Sequence, residues 1–256
     1  MSILLSGDFH ANAVSELHTI TRSSLLTRYG KEDYDSIKYH IILGDGGFLW
    51  PGNREKDSEN FRELAKRSFP VLCIIGNHEP MLGFDELNEV DIGIGEKVFL
   101  INREPFVAYL KRGKIYNIDG FRILALGGAL SIDKNMRVPG VSWWKNEYWQ
   151  EYEKRKLFGL IKNENNFDYV FSHTGPDHIN RKLAEKEFVY YSKKFDDEVA
   201  VMNDEIDKSI VCRQWFCGHW HKDEYIQDKK LKRGYQYLYR TTKIIAISNA
   251  KKHIII

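Results

Sequence analysis

The nine residues SILLSGDFH at positions 2–10 decide the fold. An apolar run of this length, stopped by Gly7, reads as a strand buried on both faces, with Asp8 and His10 standing just past its end. The same arrangement, a short Ile-, Leu- and Val-rich run closed by a glycine or a polar turn, recurs at 40–44, 71–76, 121–127, 169–172 and 215–218. Between the first three runs, residues 13–29 and 58–68 carry apolar side chains at helical spacing, the second opening on Ser58 as a cap. The first half therefore reads βαβαβ. That order requires parallel strands joined by helical crossovers, and such sheets gather ligands outside the carboxyl ends of their strands.

Farther out the order is less regular. Residues 101–117, with the turn Lys111-Arg112-Gly113, predict hairpin strands that feed 121–127, and so a second sheet facing the first. The charged segment 181–209 predicts one or two surface helices, and 223–256 a closing hairpin whose exposed turn carries Lys229, Lys230, Lys232 and Arg233. There is no internal repeat and no Pro- or Ser-rich linker, so the expectation is one domain over 1–256, in the α/β class.

Of the 256 residues 43% are hydrophobic and 29% charged, enough apolar material for a sizeable core and too much for a disordered chain. A formal charge of +2 exerts no overall pull toward nucleic acid or anionic lipid, so any such partner needs a local patch. Cys73, Cys212 and Cys217 form no C-x-x-C pair, which argues against a zinc knuckle or a dithiol redox motif and fits a reducing cytoplasm. No window nears the ~18 apolar residues of a membrane span, and residues 1–5 lack the basic start and cleavage site of a signal peptide. A soluble protein without a membrane partner is expected.

The chemistry sits at the strand ends. In an extended segment Asp8 and His10 share a face because the period is two, so both can grip one ion. Later ends read Gly44-Asp45-Gly46-Gly47, Gly76-Asn77-His78-Glu79, Ser172-His173 and Gly218-His219-Trp220-His221. One acid at a strand tip is commonly a helix cap, and a lone histidine is commonly a hydrogen-bonded structural residue. Five such tips on the side where parallel strands place a ligand call for a common cause. Mixed Asp, His and Asn donors suit Mn²⁺, Fe, Zn²⁺ or Co²⁺ better than Ca²⁺ or Mg²⁺. Asp8, His10, Asp45, Asn77, His173, His219 and His221 are too many for one tetrahedral zinc and suit two ions sharing a carboxylate, about 3.5–4 Å apart. Such a pair generates hydroxide near neutral pH and neutralises phosphoryl charge, which points to phosphate-ester hydrolysis.

The ordered set D-x-H, G-D, G-N-H-E, H and G-H-x-H, running from Asp8 to His221, resembles the calcineurin-like metallophosphoesterase superfamily. The resemblance implies two facing mixed β-sheets, a β-sandwich flanked by α-helices in four layers, with a dinuclear site at one edge between the sheets. Carried onto this chain, it assigns Asp8, His10, Asp45 and His221 to one metal. Asp45, as the bridge, joins Asn77, His173 and His219 on the other. The implied cofactors are two divalent transition-metal ions, Mn²⁺ first, with Fe, Zn, Ni or Co as alternatives. The implied reaction is attack of a metal-bridging hydroxide on a phosphoester. His78 would stay off the metals and act as the catalytic residue, stabilising the pentavalent phosphorus or protonating the leaving oxygen. The run Gly127-Gly128-Ala129 through Ser131, Asp133, Lys134 and Arg137 to Ser142-Trp143-Trp144 is similar to small bacterial and phage phosphoesterases. Within it Lys134 and Arg137 are candidates for holding substrate phosphate.

The chain departs from the family pattern at one place. Many members continue the second motif as G-D-x-x-D-R, where this chain has Phe48 and Leu49. The usual carboxylate partner of the catalytic histidine is missing, leaving Glu79 or another acid to orient His78. The arginine with which the Ser/Thr phosphatases bind phosphate is missing too, so protein phosphatase activity is the weaker reading. Phosphodiesters and monoesters both stay open as substrates, nucleotides and nucleic acid included. A catalytically silent binding or scaffold protein is the alternative outside the enzymes. Phe48, Trp50, Trp143, Trp144, Tyr148 and Trp149 are read as packing rather than as a wall for a base. His18, His40, His178 and His253 have no motif and are read as structural or surface residues, with His178 in a turn.

Overall fold

The structure is a computed structural model and describes residues 2–10, 20–48, 54–79, 87–186, 197–247 and 253–255. Ile3, Leu4 and Leu5 are all fully buried, yet they face two interiors: Ile3 and Leu5 point one way and Leu4 the other. A strand that feeds two cores must be apolar at successive positions, which is why β1 (Ser2–Ser6) shows no polar alternation at its centre. The pattern repeats beside it. From β2 (Ile37–Ile42) onward, Ile41 and Leu43 join the first interior and Ile42 the second; from β3 (Val71–Cys73), Leu72 and Ile74 oppose Val71 and Cys73.

These strands and β6 (Val107–Leu110) form a parallel run. Antiparallel strands extend it on both sides: β5 (Val98–Asn102) and β4 (Glu89–Val90) on one, β13 (Thr242–Ile247) and β14 (His253–Ile255) on the other. The resulting eight-stranded order is β14-β13-β1-β2-β3-β6-β5-β4. A second sheet of six has the order β11-β12-β10-β9-β8-β7. In it β8 (Phe121–Ala125), β9 (Asn166–Phe171), β10 (Val211–Cys217) and β12 (Arg233–Tyr237) run parallel, while β7 (Lys114–Ile118) and β11 (Glu224–Asp228) close the edges antiparallel.

The sheets meet face to face where Ile3, Leu5, Ile41 and Leu72 pack with Ile123, Tyr169, Phe171 and Phe216. Leu4, Ile42 and Cys73 on the first sheet's outer face are covered by Leu25 and Tyr34 of α1 (Arg22–Ser36) and Leu64 of α2 (Arg54–Leu64). Val170 and Trp215 on the second sheet's outer face are covered by α3 (Glu151–Asn163), α4 (Asp177–Lys186) and α5 (Glu198–Ser209) through Leu157, Ile179, Leu183 and Ile206. This is the expected sandwich of two mixed sheets between helices. Each fully buried Leu, Ile or Phe contributes about 1.5–3 kcal/mol, so three apolar clusters of this size dominate the stability. No helix among the described residues is long and apolar enough to cross a membrane.

Several boundaries differ from those the sequence predicts. The turn Lys111-Arg112-Gly113 makes no hairpin: β6 before it lies in the first sheet and β7 after it in the second. In this region β5–β6 and β7–β8 form hairpins, the latter turning at Asp119 and Gly120, both at positive φ. A turn residue reverses the chain locally and carries no information about which sheet the next strand joins. Ser58 does not cap α2, which starts at Arg54; Glu55 and Lys56 are good helix formers, and a cap-type residue does not stop a helix already propagating. In the described part of the first helical stretch, Thr21 caps α1 through its bond from the Ser24 amide, and Gly30, at φ 79, kinks the helix before it resumes to Ser36. The charged segment 181–209 yields α4 and α5, each with one face buried rather than lying free on the surface. Lys229, Lys230 and Lys232 are exposed on the β11–β12 turn, but Arg233 is buried, paired with Asp207 and donating to the Ile210 carbonyl at 2.8 Å.

Gly159 sits exposed inside α3, and a methyl group added there meets nothing within 4 Å. Gly159→Ala is therefore expected to stabilise the protein by about 0.5–1 kcal/mol with no effect on any activity. A thermal melt measures the shift, and a lowered midpoint would contradict it.

Candidate metal centre

Loops leaving the carboxyl ends of β1, β2, β3, β9 and β10 meet at one edge between the sheets. The ladders run past the strands: Leu43 donates to Ser6, Ile74 to Ile42, Ser172 to Phe216 and Gly218 to His173. The site also ties one sheet to the other. His173, after β9, donates from Nδ1 to the Leu43 carbonyl of the first sheet at 2.9 Å, and the Asp8 carboxylate accepts from the His219 amide at 2.9 and 3.1 Å.

The glycines before Asp45, Asn77 and His219 make room for a donor from another strand. A Cβ on Gly44 would stand 2.1 Å from His173 Nδ1, on Gly76 2.0 Å from Asp45 Oδ1, and on Gly218 2.9 Å from Asp8 Oδ1. Four of the donors are not in extended chain. His10, Asp45, His219 and His221 have φ of 48, 50, 68 and 51°, and only Asp119 and Lys232 share that region among the described non-glycine residues. A left-handed residue without glycine's freedom stores backbone strain that the surroundings must hold, and such residues cluster at functional sites. The rule of two therefore does not bring Asp8 and His10 together. Instead, the Phe9 and His10 amides both donate to the Asp45 carbonyl, at 3.0 and 2.9 Å, curling the loop around that residue.

Asp8, Asp45 and His173 form a buried floor, with His173 Nδ1 3.3 Å from Asp8 Oδ1 and Nε2 3.2 Å from Asp45 Oδ2. Asn77 Oδ1 stands 2.9 Å from the same Nε2. His10 and His221 form the rim, their Nε2 atoms 2.5 Å apart and His221 Nε2 4.0 Å from Asp8 Oδ2. Three groups keep their donor atoms within 4.8 Å of one another: Asp8, His10 and His221; Asp8, Asp45 and His173; and His10, Asp45 and His78. His78, expected off the metals, thus lies against two of the candidate ligands, its Nε2 3.8 Å from Asp45 Oδ2. His219 joins through its ring, packed edge-on to His173 with centroids 4.9 Å apart.

The donor set fits divalent cations. With its Nδ1 hydrogen on Leu43, His173 turns a lone pair toward Asn77 Oδ1 and Asp45 Oδ2, and three acceptors facing one point need a positive charge between them. Without a metal a proton supplies it: although burial alone would lower it, the Asp45 and Asp8 carboxylates raise the His173 pKa to about 10. Burial, reinforced by the Asp45 charge, raises Asp8 to about 7. Burial also pushes Asp45 up, but the imidazoles of His173, His78 and His10 outweigh it and hold Asp45 well below the usual range. Burial, then His10, lowers His221 to about 4; burial, then His173, lowers His219 well below its ordinary value. Neutral imidazoles are the form that binds metal.

The other residues singled out in the sequence take the following places. Glu79 does not orient His78; its carboxylate accepts from the amides of Gly47 (3.1 Å) and Gly76 (2.5 Å) and from the Tyr109 hydroxyl (2.9 Å), pinning two ligand loops together. Arg137 meets His78 instead, Nη1 3.1 Å from Nδ1 and Nη2 2.9 Å from Nε2. Lys134 lies over the rings of Trp143 and Tyr148, at 4.9 and 5.4 Å. Phe48 is buried and stacks on Phe61, while Leu49 and Trp50 lie outside the described residues. Trp144 and Trp149 are buried as packing, and Trp149 donates to the Gly127 carbonyl at 2.7 Å. His40 is a buried structural residue between Ser6 and Arg67, and His178 opens α4 bonded to Asp204 at 2.7 Å rather than sitting in a turn. His18 falls outside the described residues.

Sequence reasoning missed Glu147. It is buried, accepts from the Ser131 hydroxyl at 2.5 Å, and Ser131 accepts from Asn77 Nδ2 at 2.9 Å, a chain that turns Asn77 Oδ1 toward His173. Its place three residues after Trp144, at the end of the run that opens at Gly127, was the available signal.

Comparison with known proteins bears on the fold and the family. A solved structure covering 100% of this chain and 98% of its own superposes with a TM-score of 0.55 at 10% identity, a likeness of fold. A phosphopantetheinyl hydrolase from Mycobacterium tuberculosis is 13% identical over 93% of this chain and 90% of its own, with a TM-score of 0.44. A Staphylococcus aureus protein described as a 5'-nucleotidase is 11% identical over 100% of this chain and 52% of its own, with a TM-score of 0.40. No curated protein matches. The family model for calcineurin-like phosphoesterases matches residues 1–223, a span that contains every loop of the centre described above, and the chain belongs to that family.

Proposed function

We propose that this protein is a dinuclear-metal-dependent phosphohydrolase. The observation that carries the reading is the convergence of Asp8, His10, Asp45, Asn77, His173 and His221 on one inter-sheet edge, in a donor geometry that suits divalent cations. Asp8, His10, Asp45 and His221 would hold one ion and Asp45, Asn77, His173 and His219 the other, with Mn²⁺ the ion to try first. Bound ions of this kind lower the pKa of water to near neutrality and neutralise phosphoryl charge. The protein's own residues do the rest. Leu43 fixes the His173 tautomer, Ser131 and Glu147 fix the Asn77 amide, and Glu79 holds the loops of Asp45 and Asn77 in register.

His78 is the group left to act on the substrate, donating a hydrogen bond from its ring to a phosphoryl or leaving oxygen. Its backbone amide is anchored on Asp45 Oδ1 at 2.9 Å, so the ring is placed relative to the ions. His78→Ala is expected to lower Mn²⁺-dependent turnover of a nitrophenyl phosphoester by about 10²–10⁴-fold while leaving bound metal unchanged. Elemental analysis of the variant decides the role: metal lost in step with activity would make His78 a ligand.

A further inference from the structure

The connection from β12 to β13, residues 238–241, carries the chain from the second sheet to the first, across the edge where the metal centre lies. Its start is fixed from both sheets. The Leu238 amide donates to the Cys217 carbonyl at 2.9 Å, and the Leu238 carbonyl lies so close to Gly7, the residue before Asp8, that a Cβ there would collide with it. The rest is held by one carboxylate. Asp223, two residues after His221, accepts from the Tyr239, Arg240 and Thr241 amides at 2.9, 3.0 and 3.0 Å and from the Thr241 hydroxyl at 2.5 Å. Held in this way, the Tyr239 ring lies flat on the His221 imidazole, with centroids 4.6 Å apart and 11° between the planes.

His221 is the candidate ligand in need of such a support. A histidine that turns one ring nitrogen to a metal normally has its orientation fixed by a hydrogen bond from the other, as His173 does through Nδ1 and the Leu43 carbonyl. His221 turns Nε2 toward His10 and Asp8, but its Nδ1 has no hydrogen-bond partner among the described residues. Its side chain is 45% exposed and its backbone is left-handed, at φ 51°. Neither burial nor a hydrogen bond therefore selects its rotamer. The Tyr239 ring does, because turning the imidazole out of its plane drives it into the neighbouring ring. An imidazole that gives electron density to a cation also becomes electron-poor, and its contact with the electron-rich face of a phenol then strengthens.

Resting on the dinuclear reading above, we propose that Tyr239 is a positioning residue for His221, and that Asp223, by fixing residues 238–241, sets the affinity of the ion His221 would share with Asp8, His10 and Asp45. The second ion does not depend on this clamp. Its ligands His173 and Asn77 are buried and have supports of their own, Leu43 for the first and Ser131 for the second.

The test is calorimetric titration of the metal-free full chain with Mn²⁺, for wild type, Tyr239→Leu, Tyr239→Phe and Asp223→Ala. The wild type should take up two ions. Tyr239→Leu keeps an apolar side chain without the flat ring, and should bind one ion as the wild type does and the other about 10–100-fold more weakly. Asp223→Ala should weaken the same ion by about 10-fold or more. Tyr239→Phe keeps the ring and loses only the hydroxyl, so it should stay within about 3-fold of wild type. Turnover of a nitrophenyl phosphoester gives a second readout: Tyr239→Leu should approach the wild-type kcat, but at about 10–100-fold higher Mn²⁺, a rescue that damage to the fold would not allow. Wild-type binding by Tyr239→Leu or Asp223→Ala, equal weakening of both ions, or the same loss in Tyr239→Phe would overturn the proposal and leave the metal centre standing. So would a metal-free Tyr239→Leu that no longer melts cooperatively, since the ring would then serve folding. Uptake of fewer than two ions by the wild type would bring down the dinuclear reading, and this proposal with it.

Discussion

Asp45→Asn is expected to leave a folded protein that has lost metal-dependent phosphoester hydrolysis. Asp45 is the acid that three imidazoles approach: its Oδ2 lies 3.2 Å from His173, 3.7 Å from His10 and 3.8 Å from His78. Asparagine keeps the size and the Oδ1 acceptor for the His78 amide. It replaces an anion by a neutral amide and removes the oxygen that two ions would share. Removing a partner behind a metal ligand already lowers affinity or activity by about 10–100-fold, and loss of a shared ligand should exceed that. A second readout needs no substrate. Metal that binds only the folded state raises the melting midpoint, so Mn²⁺ should stabilise the wild type and have little effect on the variant. Unchanged Mn²⁺-dependent turnover by Asp45→Asn would remove the proposed centre.

The sequence made the strands legible for a physical reason. Six runs lie in sheets covered on both faces, and such strands must be apolar at consecutive positions, so Ile3-Leu4-Leu5 and Ile41-Ile42-Leu43 stand out without any partner known. What it could not show is which sheet a strand enters. Lys111-Arg112-Gly113 looks like any tight reversal, and only packing distant in sequence sends β7 away from β6. In the centre, residue types and their positions after strands were readable, but the way they converge was not. Asp8 and His10 meet because His10 turns left-handed around the Asp45 carbonyl, a dependence on another loop that no local period encodes. Glu147 was harder still. It closes a short 3₁₀ turn at Lys145–Glu147, where no periodicity distinguishes a buried acid from a solvated one.

Gly76→Ala follows from the same dependence between loops and should rank next to Asp45→Asn in effect, although it changes no donor. The added Cβ would lie 2.0 Å from Asp45 Oδ1 and 2.4 Å from the Asp45 backbone nitrogen, so rotating a side chain does not relieve the clash. The Asp45 loop cannot simply retreat, because its carbonyl holds the Phe9 and His10 amides and Glu79 bonds both Gly47 and Gly76. Moving the loop displaces the central carboxylate from His173 and opens the His10 turn together. Overpacking of this kind typically destabilises by about 1–3 kcal/mol, which a domain of this size can survive, whereas metal ligands tolerate far smaller displacements. The variant should therefore melt cooperatively at a lower temperature, bind little Mn²⁺ and lose more than about 100-fold in turnover. Gly159→Ala, the same chemical change in open space, is the control expected to keep full metal content and activity. If Gly76→Ala instead keeps its metal and its rate, the close approach of the second and third loops is not what builds the centre.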